Sequence, residues 1–510
     1  MQTVWDHIRL AAERTPDHIA IQDDWTDRVL TFAELVREVE TVAAGFAEAG
    51  VGRGQRAATV LPNVFEQAIA ILALHRLGTQ LCLINPRLKP EEAAALMTDA
   101  GVMTAVCPAE ELISSAVTGA VGEKGSVFSV GGAVDGTKDF AECRGDAAAL
   151  GEWRTPDAAD TAFILYTSGT TGLPKGVMIP HGATDGRVLY AVVQCGLRHG
   201  THNRAIGLMP LFHAVGFYSA FVTTLSLNGT YYVHSAFDPP AAVAEIEKNG
   251  VTFLYGAPAH FHALLSAPGF DAANMCAVET LVYAGAVMPG PLLDRVKPSF
   301  PNAWMTNIYG TTEVMNALYM PDPAGRPLTY RPGFYSNVRV GKIGGDIGDL
   351  CDVGEEGELL VDATADATFT GYLNRPDATS EKLVNGWYRT GDIVARLPDG
   401  DLELRGRVDD MIVSGGENIH PEEVETVLLL HDAVRDVAVI GMPDDQWSER
   451  VVACVVGDEN TADSDLLDAW CQNSTLANYK RPREYHFLDA LPRNAANKVL
   501  RRELKEIISA

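Results

Sequence analysis

A chain of 510 residues with 47% apolar content exceeds what one core supports and can fill more than one, so a multidomain globular protein is expected. The formal charge of −27 argues against a nucleic-acid partner and against docking on an anionic membrane, because both need broad positive potential. The opening residues carry no basic leader, the apolar run 68–74 is too short to span a bilayer, and the cysteines at 82, 107, 143, 195, 276, 351, 454 and 471 form no CxxC pair or metal-type cluster. Reduced thiols and a cytoplasmic location are therefore expected.

In chain order, 57–61 reads as a strand, Asn63 as an N-cap and 64–77 as a helix stopped by Gly78. Strand 80–84, a helix over 90–99 closed by Gly101, and strand 102–107 follow. This βαβαβ run predicts a parallel, doubly wound sheet. Residues 114–151 are rich in Gly, Ala and Ser and poorly periodic, which predicts loops and short peripheral strands.

The apolar run 162–165 then leads into Tyr166-Thr-Ser-Gly-Thr-Thr-Gly-Leu-Pro-Lys-Gly176. Backbone N–H groups freed by Gly169 and Gly172, the hydroxyls of Thr167, Ser168, Thr170 and Thr171, and the Lys175 ammonium are donors suited to a polyphosphate. The spacing is not that of a Walker A loop, and a plain surface loop has similar composition. Further on, the apolar runs 253–255, 281–283 and 304–309 each end in small residues, at Gly256-Ala-Pro258, Ala284-Gly-Ala286 and Gly310. Ligands of open α/β sheets sit at such carboxyl ends.

After about residue 345 short β segments alternate with Gly/Asp/Pro turns, and the composition shifts again near Arg405-Gly-Arg-Val-Asp409, where a domain boundary is placed. Between Lys480 and Lys505 eight basic side chains face three acidic ones, an excess of +5 on an acidic protein. That excess is either a solvated helix face or a dock for a small polyanion.

Together with the first loop, Tyr309-Gly-Thr-Thr-Glu313, Tyr388-Arg-Thr-Gly-Asp392, Gly406-Arg-Val-Asp-Asp410, Gly415-Gly-Glu-Asn-Ile-His-Pro421 and Pro492-Arg-Asn-Ala-Ala-Asn-Lys498 resemble, in order and over nearly the whole chain, the acyl-adenylate-forming superfamily. Acyl-CoA synthetases, peptide-synthetase adenylation domains and luciferases belong to it. The resemblance implies an α/β fold: a large N-terminal domain (1–407) with doubly wound sheets and a small β subdomain, and a small mobile α+β C-terminal domain (408–510) hinged at Asp409. It implies ATP, Mg²⁺ and coenzyme A as co-substrates and cofactor, with a small carboxylic acid as the other partner; a homodimer is compatible with it.

Carried over by position, the 167–175 loop holds the phosphates that leave as pyrophosphate. Glu313 ligates Mg²⁺, and Thr312 bonds the α-phosphate. Tyr309 lies against adenine beside Gly285, Ala286, Asn307, Gly310 and Thr311, and Asp392 accepts from the ribose hydroxyls with Arg407 nearby. Lys498 is the cation between the two anions of the first half-reaction, and His213 joins it as a catalytic candidate.

The branch follows from what surrounds these motifs. A peptide-synthetase domain would need an acidic residue where Pro210-Leu-Phe-His213 has His213, and a luciferase-type oxygenase is not separable by motif. Tyr479-Lys-Arg-Pro-Arg483 with Arg481 and Arg483, together with Trp447, Arg87 and the Gly415-Gly416 turn, resembles the CoA-binding positions of aryl-CoA ligases. Ala73-Leu-His-Arg-Leu-Gly78, Gly207-Leu-Met-Pro-Leu211 and Ile308-Tyr-Gly-Thr-Thr-Glu-Val-Met-Asn316 resemble those acting on 4-chlorobenzoate. The acid pocket would then comprise Tyr190, His213, Ala214, Val215, Tyr255, Ala284, Gly285, Ile308, Gly310, Met315 and Asn316.

The expected activity is an ATP-dependent aryl acid:CoA ligase for 4-chlorobenzoate or a close benzoate. Tyr190 and Tyr255 stand where that group has Phe, and Ala214 where it has Val. A hydroxy- or amino-benzoate, a cinnamate-type acid, or transfer of the adenylate to a non-CoA acceptor is the alternative.

Overall fold

The computed structural model describes the chain apart from residues 1, 168–173, 365–366, 458–462, 475, 494–498 and 510. It divides into two compact units, one made of Met1–Asn337 and Val361–Tyr388, the other of Val338–Leu360 and Arg389–Ala510.

In the first unit, strands Arg56–Thr59, Gln80–Leu83 and Thr104–Pro108 alternate with helices Phe65–Arg76 and Pro90–Ala100. The strands pair in parallel with 56–59 between the other two, which is the doubly wound pattern expected from the sequence. Helix Phe65–Arg76 is buried on nearly all sides, so it has no amphipathic stripe and lies inside the unit. Strand Thr161–Thr167 runs parallel to Gln80–Leu83, and then Lys175–Pro180 and Gly371–Tyr372 continue the sheet antiparallel. The hydroxyl-rich segment therefore connects two strands of one hairpin. A second sheet of this unit carries Phe253–Gly256, Thr280–Ala284 and Trp304–Thr311 in parallel register, with Met315–Met320 returning antiparallel.

Two expectations are corrected. Asn63 is not the N-cap of the first helix; Val64 takes that position without a side-chain cap bond. The Asn63 amide instead donates to the carbonyls of Gly207 (3.1 Å) and Met209 (3.0 Å), and its oxygen accepts from Leu211 N–H at 2.8 Å. A buried amide is best satisfied by several partners, and a distant loop supplies more of them than a helix end does. Residues 114–151 hold the expected short peripheral strands, Ser126–Val130 and Lys138–Asp139 at one end of the first sheet, but helix Glu111–Val121 runs into them, where loops were expected. The helix buries Ile113, Val117 and Val121 at a spacing of four, a stripe that the surrounding Ser, Ala and Gly hide from composition.

In the second unit the long antiparallel pair Val434–Asp444 and Ser448–Gly457 separates two cores. Alternation along the strands sends Val437, Val439, Val451, Ala453 and Val455 to a core with Ile412, Val424 and Leu467, and Ala438, Ile440, Val452 and Cys454 to another with Leu504. All eight cysteines are unpaired, and burial pushes the thiols of Cys82, Cys107, Cys143 and Cys195 up to about 12, so these four are not thiolate nucleophiles at neutral pH. Among the described residues no helix is long and apolar enough to cross a membrane.

One pH dependence follows from the core. His75 is fully buried, stacks on Phe163 with ring centroids 5.1 Å apart, and neither ring nitrogen has a hydrogen-bond partner. His181 lies 4.9 Å from it by ring centroids. Burial lowers both pKa values, that of His181 to about 4. Below about pH 6.5 the unfolded chain binds protons that the folded one refuses, so stability falls as pH drops toward 4, by at most about 1.4 kcal/mol per pH unit for each group. His75→Phe keeps the stacked ring and removes the titration. Its unfolding midpoint is expected to fall less steeply between pH 6.5 and 4.5 than that of the wild type; parallel profiles would show that His75 contributes nothing.

Candidate active site

The strand Trp304–Thr311 ends in a tight reversal closed by the pair Thr311 and Met315. A Cβ on Gly310 would sit 1.6 Å from the Met315 carbonyl oxygen, so only glycine admits this close approach. The reversal presents Glu313, which is 7% exposed and accepts a 2.8 Å hydrogen bond from the Tyr372 hydroxyl. The Glu313 carbonyl accepts from Phe369 N–H at 2.8 Å. Lys175 opens the return strand after the hydroxyl-rich segment, with its ammonium 5.2 Å from the centroid of the Tyr372 ring. Two of the sequence motifs are thus brought to one place, with Tyr372 between them. Sequence reasoning missed Tyr372; Gly371-Tyr-Leu looked only like a short β segment. Burial, then the adjoining Glu313, pushes its hydroxyl pKa far up, so it stays a donor.

Asn307 on the same strand fixes the neighbouring strand end. Its amide donates to the Tyr283 (3.1 Å) and Ala286 (3.2 Å) carbonyls, and its oxygen accepts from the Tyr330 hydroxyl at 2.6 Å. Tyr330 meets the Tyr309 ring edge-on at 6.0 Å. Asn307 thus holds the Ala284–Ala286 stretch, where Gly285 takes φ +84°, beside Tyr309.

The residues expected to hold the acid are mostly buried: Tyr190, Ala214, Tyr255, Ala284, Ile308, Met315 and Asn316 each expose less than a tenth of their surface. Tyr190 comes from helix Ala183–Gln194 and Tyr255 from strand Phe253–Gly256. Val215 begins a π-helical turn, Val215–Val222, in which Gly216 is forced because a Cβ there would lie 2.1 Å from the Pro210 carbonyl. His213 lies two residues before this turn, next to its N-cap Ala214. Burial, assisted by Arg87, lowers its pKa to about 4, so the imidazole is neutral at working pH. Asn63, which ties down Gly207, Met209 and Leu211, steadies the loop that delivers it. The Tyr190 hydroxyl is buried without a hydrogen-bond partner, and the buried Tyr255 hydroxyl makes no well-aligned hydrogen bond, although the Ser219 side chain is close enough to act on it and opposes the rise that burial imposes on its pKa. A cavity of about 10 Å³, the size of one water, lies between Tyr190, Met315, Asn316, Ala367 and Thr368.

Asp392 and Arg407 belong to the second unit and face each other across paired strands, with Arg407 Nη1 2.8 Å from Asp392 Oδ1. Thr390 Oγ1 accepts from the Asp392 amide at 3.0 Å. Asp409 is exposed in the turn between strands Leu402–Arg407 and Ile412–Ser414. Gly415 and Gly416 form the tip of the next hairpin at φ +61° and +88°. Gly415 N–H donates to the Trp447 carbonyl at 2.8 Å, and a Cβ on Gly415 would touch the Trp447 ring at 2.8 Å, so the turn and the exposed indole are one surface.

The basic excess over 480–505 does not stand free. Lys480 pairs with Glu423, Arg481 with Asp468, Arg493 with Asp436, and Arg501 with Glu425 and Asp410. Acidic residues distant in sequence neutralise much of it. Arg483 is exposed, contacts the Asn478 carbonyl at 3.2 Å, and makes no ion pair among the described residues. Tyr479 is 44% exposed beside it. Ser168, Gly169, Thr170, Thr171, Gly172 and Lys498 lie outside the described residues.

Among the described residues no group of three His, Cys, Asp or Glu could hold a metal ion by itself. Mg²⁺ needs no such cage when phosphate oxygens complete its shell, and a buried carboxylate such as Glu313 with lone pairs to spare fits that role.

The AMP-binding enzyme profile matches residues 8–373, and the AMP-binding enzyme C-terminal domain profile matches 423–498. The chain is 42% identical over 514 aligned positions to a 4-chlorobenzoate–CoA ligase of Arthrobacter sp, covering 100% of this chain and 96% of that protein. It is 32% identical to a feruloyl-CoA synthase of Amycolatopsis sp, covering 97% of this chain and 96% of that one. The structure of o-succinylbenzoate coenzyme A synthetase from Bacillus subtilis in complex with ATP and magnesium ion superimposes with a TM-score of 0.83 at 27% identity, covering 99% of each chain. With both profiles matched and full-length identity at this level, the chain belongs to the AMP-binding enzymes, as an acid–thiol ligase of the AMP-forming kind.

Proposed function

We propose that the protein is an ATP-dependent aryl acid:CoA ligase acting on 4-chlorobenzoate or a close benzoate. The observation that supports this most is the gathering of Glu313, Tyr372 and Lys175 next to a buried, mainly apolar set of acid-pocket residues. A carboxylate oxygen of the acid attacks the α-phosphorus of ATP, and the bond to the bridging oxygen breaks to release pyrophosphate. The sulfur of CoA then attacks the acyl carbonyl, the thiol proton leaves to solvent or a base, and AMP departs. In the first step the 167–175 loop holds the departing phosphates, Thr312 bonds the α-phosphate, and Lys498 lies between the two anions. Glu313 would hold Mg²⁺ together with phosphate oxygens, and the ion supplies neutralisation of phosphate charge. Asp392 accepts from the ribose hydroxyls, and Arg407 orients its carboxylate. The neutral His213 orients the acid carboxylate without adding charge to the pocket.

For the second step, rotation of a C-terminal domain (408–510) about Asp409 would exchange Lys498 for the Gly415–Gly416 turn, with Trp447, Tyr479, Arg87, Arg481 and Arg483 receiving CoA. A specific observation favours a second reading of the acid. The unpartnered Tyr190 hydroxyl, and the Tyr255 hydroxyl with its poorly aligned contact to Ser219, suit a hydroxy- or amino-benzoate. A mass-spectrometric screen of carboxylic acids with MgATP and CoA tests both readings. Preference for aliphatic acids over every benzoate would defeat both, and acyl-AMP accumulating without thioester would point to another acceptor.

The two arginines make separable predictions. Arg483 is free to meet a phosphate, whereas Arg481 must first leave Asp468. Arg483→Ala is expected to raise the KM for CoA about 3- to 5-fold, as befits an exposed charge contact, and to do so more than Arg481→Ala. Dephospho-CoA should respond less if the contact is to the 3′-phosphate. Equal KM values for wild type and both variants would remove this segment from the CoA site.

A further inference from the structure

Arg187 on helix Ala183–Gln194 carries a guanidinium with no exposed surface, in a chain whose other arginines nearly all reach solvent. Burying such a group is costly unless its donors are engaged. Its Nε donates to the Ala367 carbonyl at 3.0 Å and its Nη2 to the Thr312 carbonyl at 3.1 Å. Nη1 approaches the Met315 sulfur at 3.6 Å, and the plane lies 4.8 Å above the Tyr218 ring. No carboxylate lies within ion-pair distance among the described residues. Burial lowers its pKa to about 10, with Tyr218 and Glu313 opposing that shift, so the charge is retained at neutral pH. The next residue back, Gly186, lets the helix press onto Ala367, since a Cβ there would already meet Ala367 atoms at 3.3 Å.

These contacts join parts with different tasks in the proposed reaction. Thr312 and Glu313 form the phosphate-side tip of the reversal after strand Trp304–Thr311. Met315 ends that reversal on the acid side, in a left-handed conformation with φ +55°. Ala367 begins the stretch whose Phe369 N–H and Tyr372 hydroxyl hold Glu313. Tyr190 follows Arg187 by three residues on the same helical face and lines the small cavity with Met315 and Ala367. One planar fork therefore fixes both ends of the reversal and the segment behind it, relative to the helix that carries a wall of the acid pocket.

We propose that Arg187 is a positioning residue for adenylation, setting the reversal that carries Thr312 and Glu313 in register with the acid pocket, so that carboxylate and α-phosphorus meet in line. It touches neither substrate. It rests on the ligase reading above and assigns no new chemistry. Its effect belongs to the alignment of two bound reactants, where a displacement of about 1 Å costs on the order of 10²-fold.

A purely structural arginine would lower every activity together with the folded fraction. A positioning residue instead splits the half-reactions and separates kcat from KM. Arg187→Met and Arg187→Lys are compared with wild type in three measurements: single-turnover pyrophosphate release, thioester formation from supplied acyl-AMP and CoA, and calorimetric binding of MgATP. The expected result for Arg187→Met is a fall of about 10²-fold in the first, a change of no more than a few-fold in the second, and an unaltered dissociation constant in the third. Arg187→Lys keeps the charge but offers its donors from a single nitrogen rather than from the spread Nε and Nη2 of a rigid fork, so it should recover only part of the rate. Equal losses in both half-reactions, full recovery in Arg187→Lys, or failure of every variant to fold would overturn the proposal in favour of a structural role. A wild type that forms no acyl-AMP from any aryl acid would instead refute the ligase reading itself.

Discussion

Lys498→Ala is expected to lower pyrophosphate release from MgATP and acid on the order of 10²-fold or more, while thioester formation from supplied acyl-AMP and CoA stays within a few-fold of wild type. A carboxylate approaching a phosphate brings two anions together, and the pentavalent transition state gathers further charge on the phosphoryl oxygens. An ammonium placed there offsets both. Thiolysis has no such encounter, because the adenylate is already neutral at the acyl carbon. Lys498→Arg keeps the charge but replaces a compact ammonium by a bulkier plane, so partial recovery is expected. Rapid-quench measurement of each half-reaction decides the matter: equal damage to both would defeat the account in which one catalytic surface is exchanged for another between steps.

The parts of this protein legible in its sequence are those where chemistry or backbone geometry constrains residue type locally. The βαβαβ run could be read because its strands and helices alternate with clear breaks at Gly78 and Gly101, and Gly101 does adopt a left-handed cap at φ +62°. Gly310 and Glu313 could be read as a motif because a tight reversal and a hard oxygen ligand each restrict the choice of residue. What escaped depends on contacts between distant segments. Asn63 looks like a helix cap, yet its partners lie about 145 residues away. Arg187 belongs to no motif, and its carbonyl partners are 125 and 180 positions distant. The basic excess near the C-terminus was real as composition, but Asp468, Glu423 and Asp436 neutralise several of its members from outside the window in which it was counted. Helix Glu111–Val121 was missed for a different reason, since three buried residues at a spacing of four are easily hidden among small neighbours.

The hydroxyls of Tyr190 and Tyr255 carry the sharpest expectation about substrate. From the residue types alone two outcomes stay open: partners elsewhere in the protein, which suits a chlorinated ring, or a hydrogen-bonding substituent on the acid. The Tyr190 hydroxyl has no such partner among the described residues and that of Tyr255 has a poorly aligned contact with Ser219, and a buried unsatisfied hydroxyl costs about 1–3 kcal/mol. A ring substituent able to hydrogen-bond recovers some of that loss, whereas chlorine, a poor acceptor, recovers little. If the natural acid carries a hydroxyl or amino group, Tyr190→Phe or Tyr255→Phe will lower its kcat/KM ~10-fold or more, the scale of one lost hydrogen bond, and shift preference toward 4-chlorobenzoate. If the natural acid is 4-chlorobenzoate, removing an idle hydroxyl leaves kcat/KM for it within a few-fold or raises it. The two cases differ in size: in the first the hydroxy-to-chloro ratio of kcat/KM falls ~10-fold or more, in the second it changes by no more than a few-fold. Measuring both acids against wild type and the two Phe variants therefore shows whether the pocket is built for a hydrogen-bonding substituent, and a loss for the chloro acid as large as that for the hydroxy acid would defeat both cases.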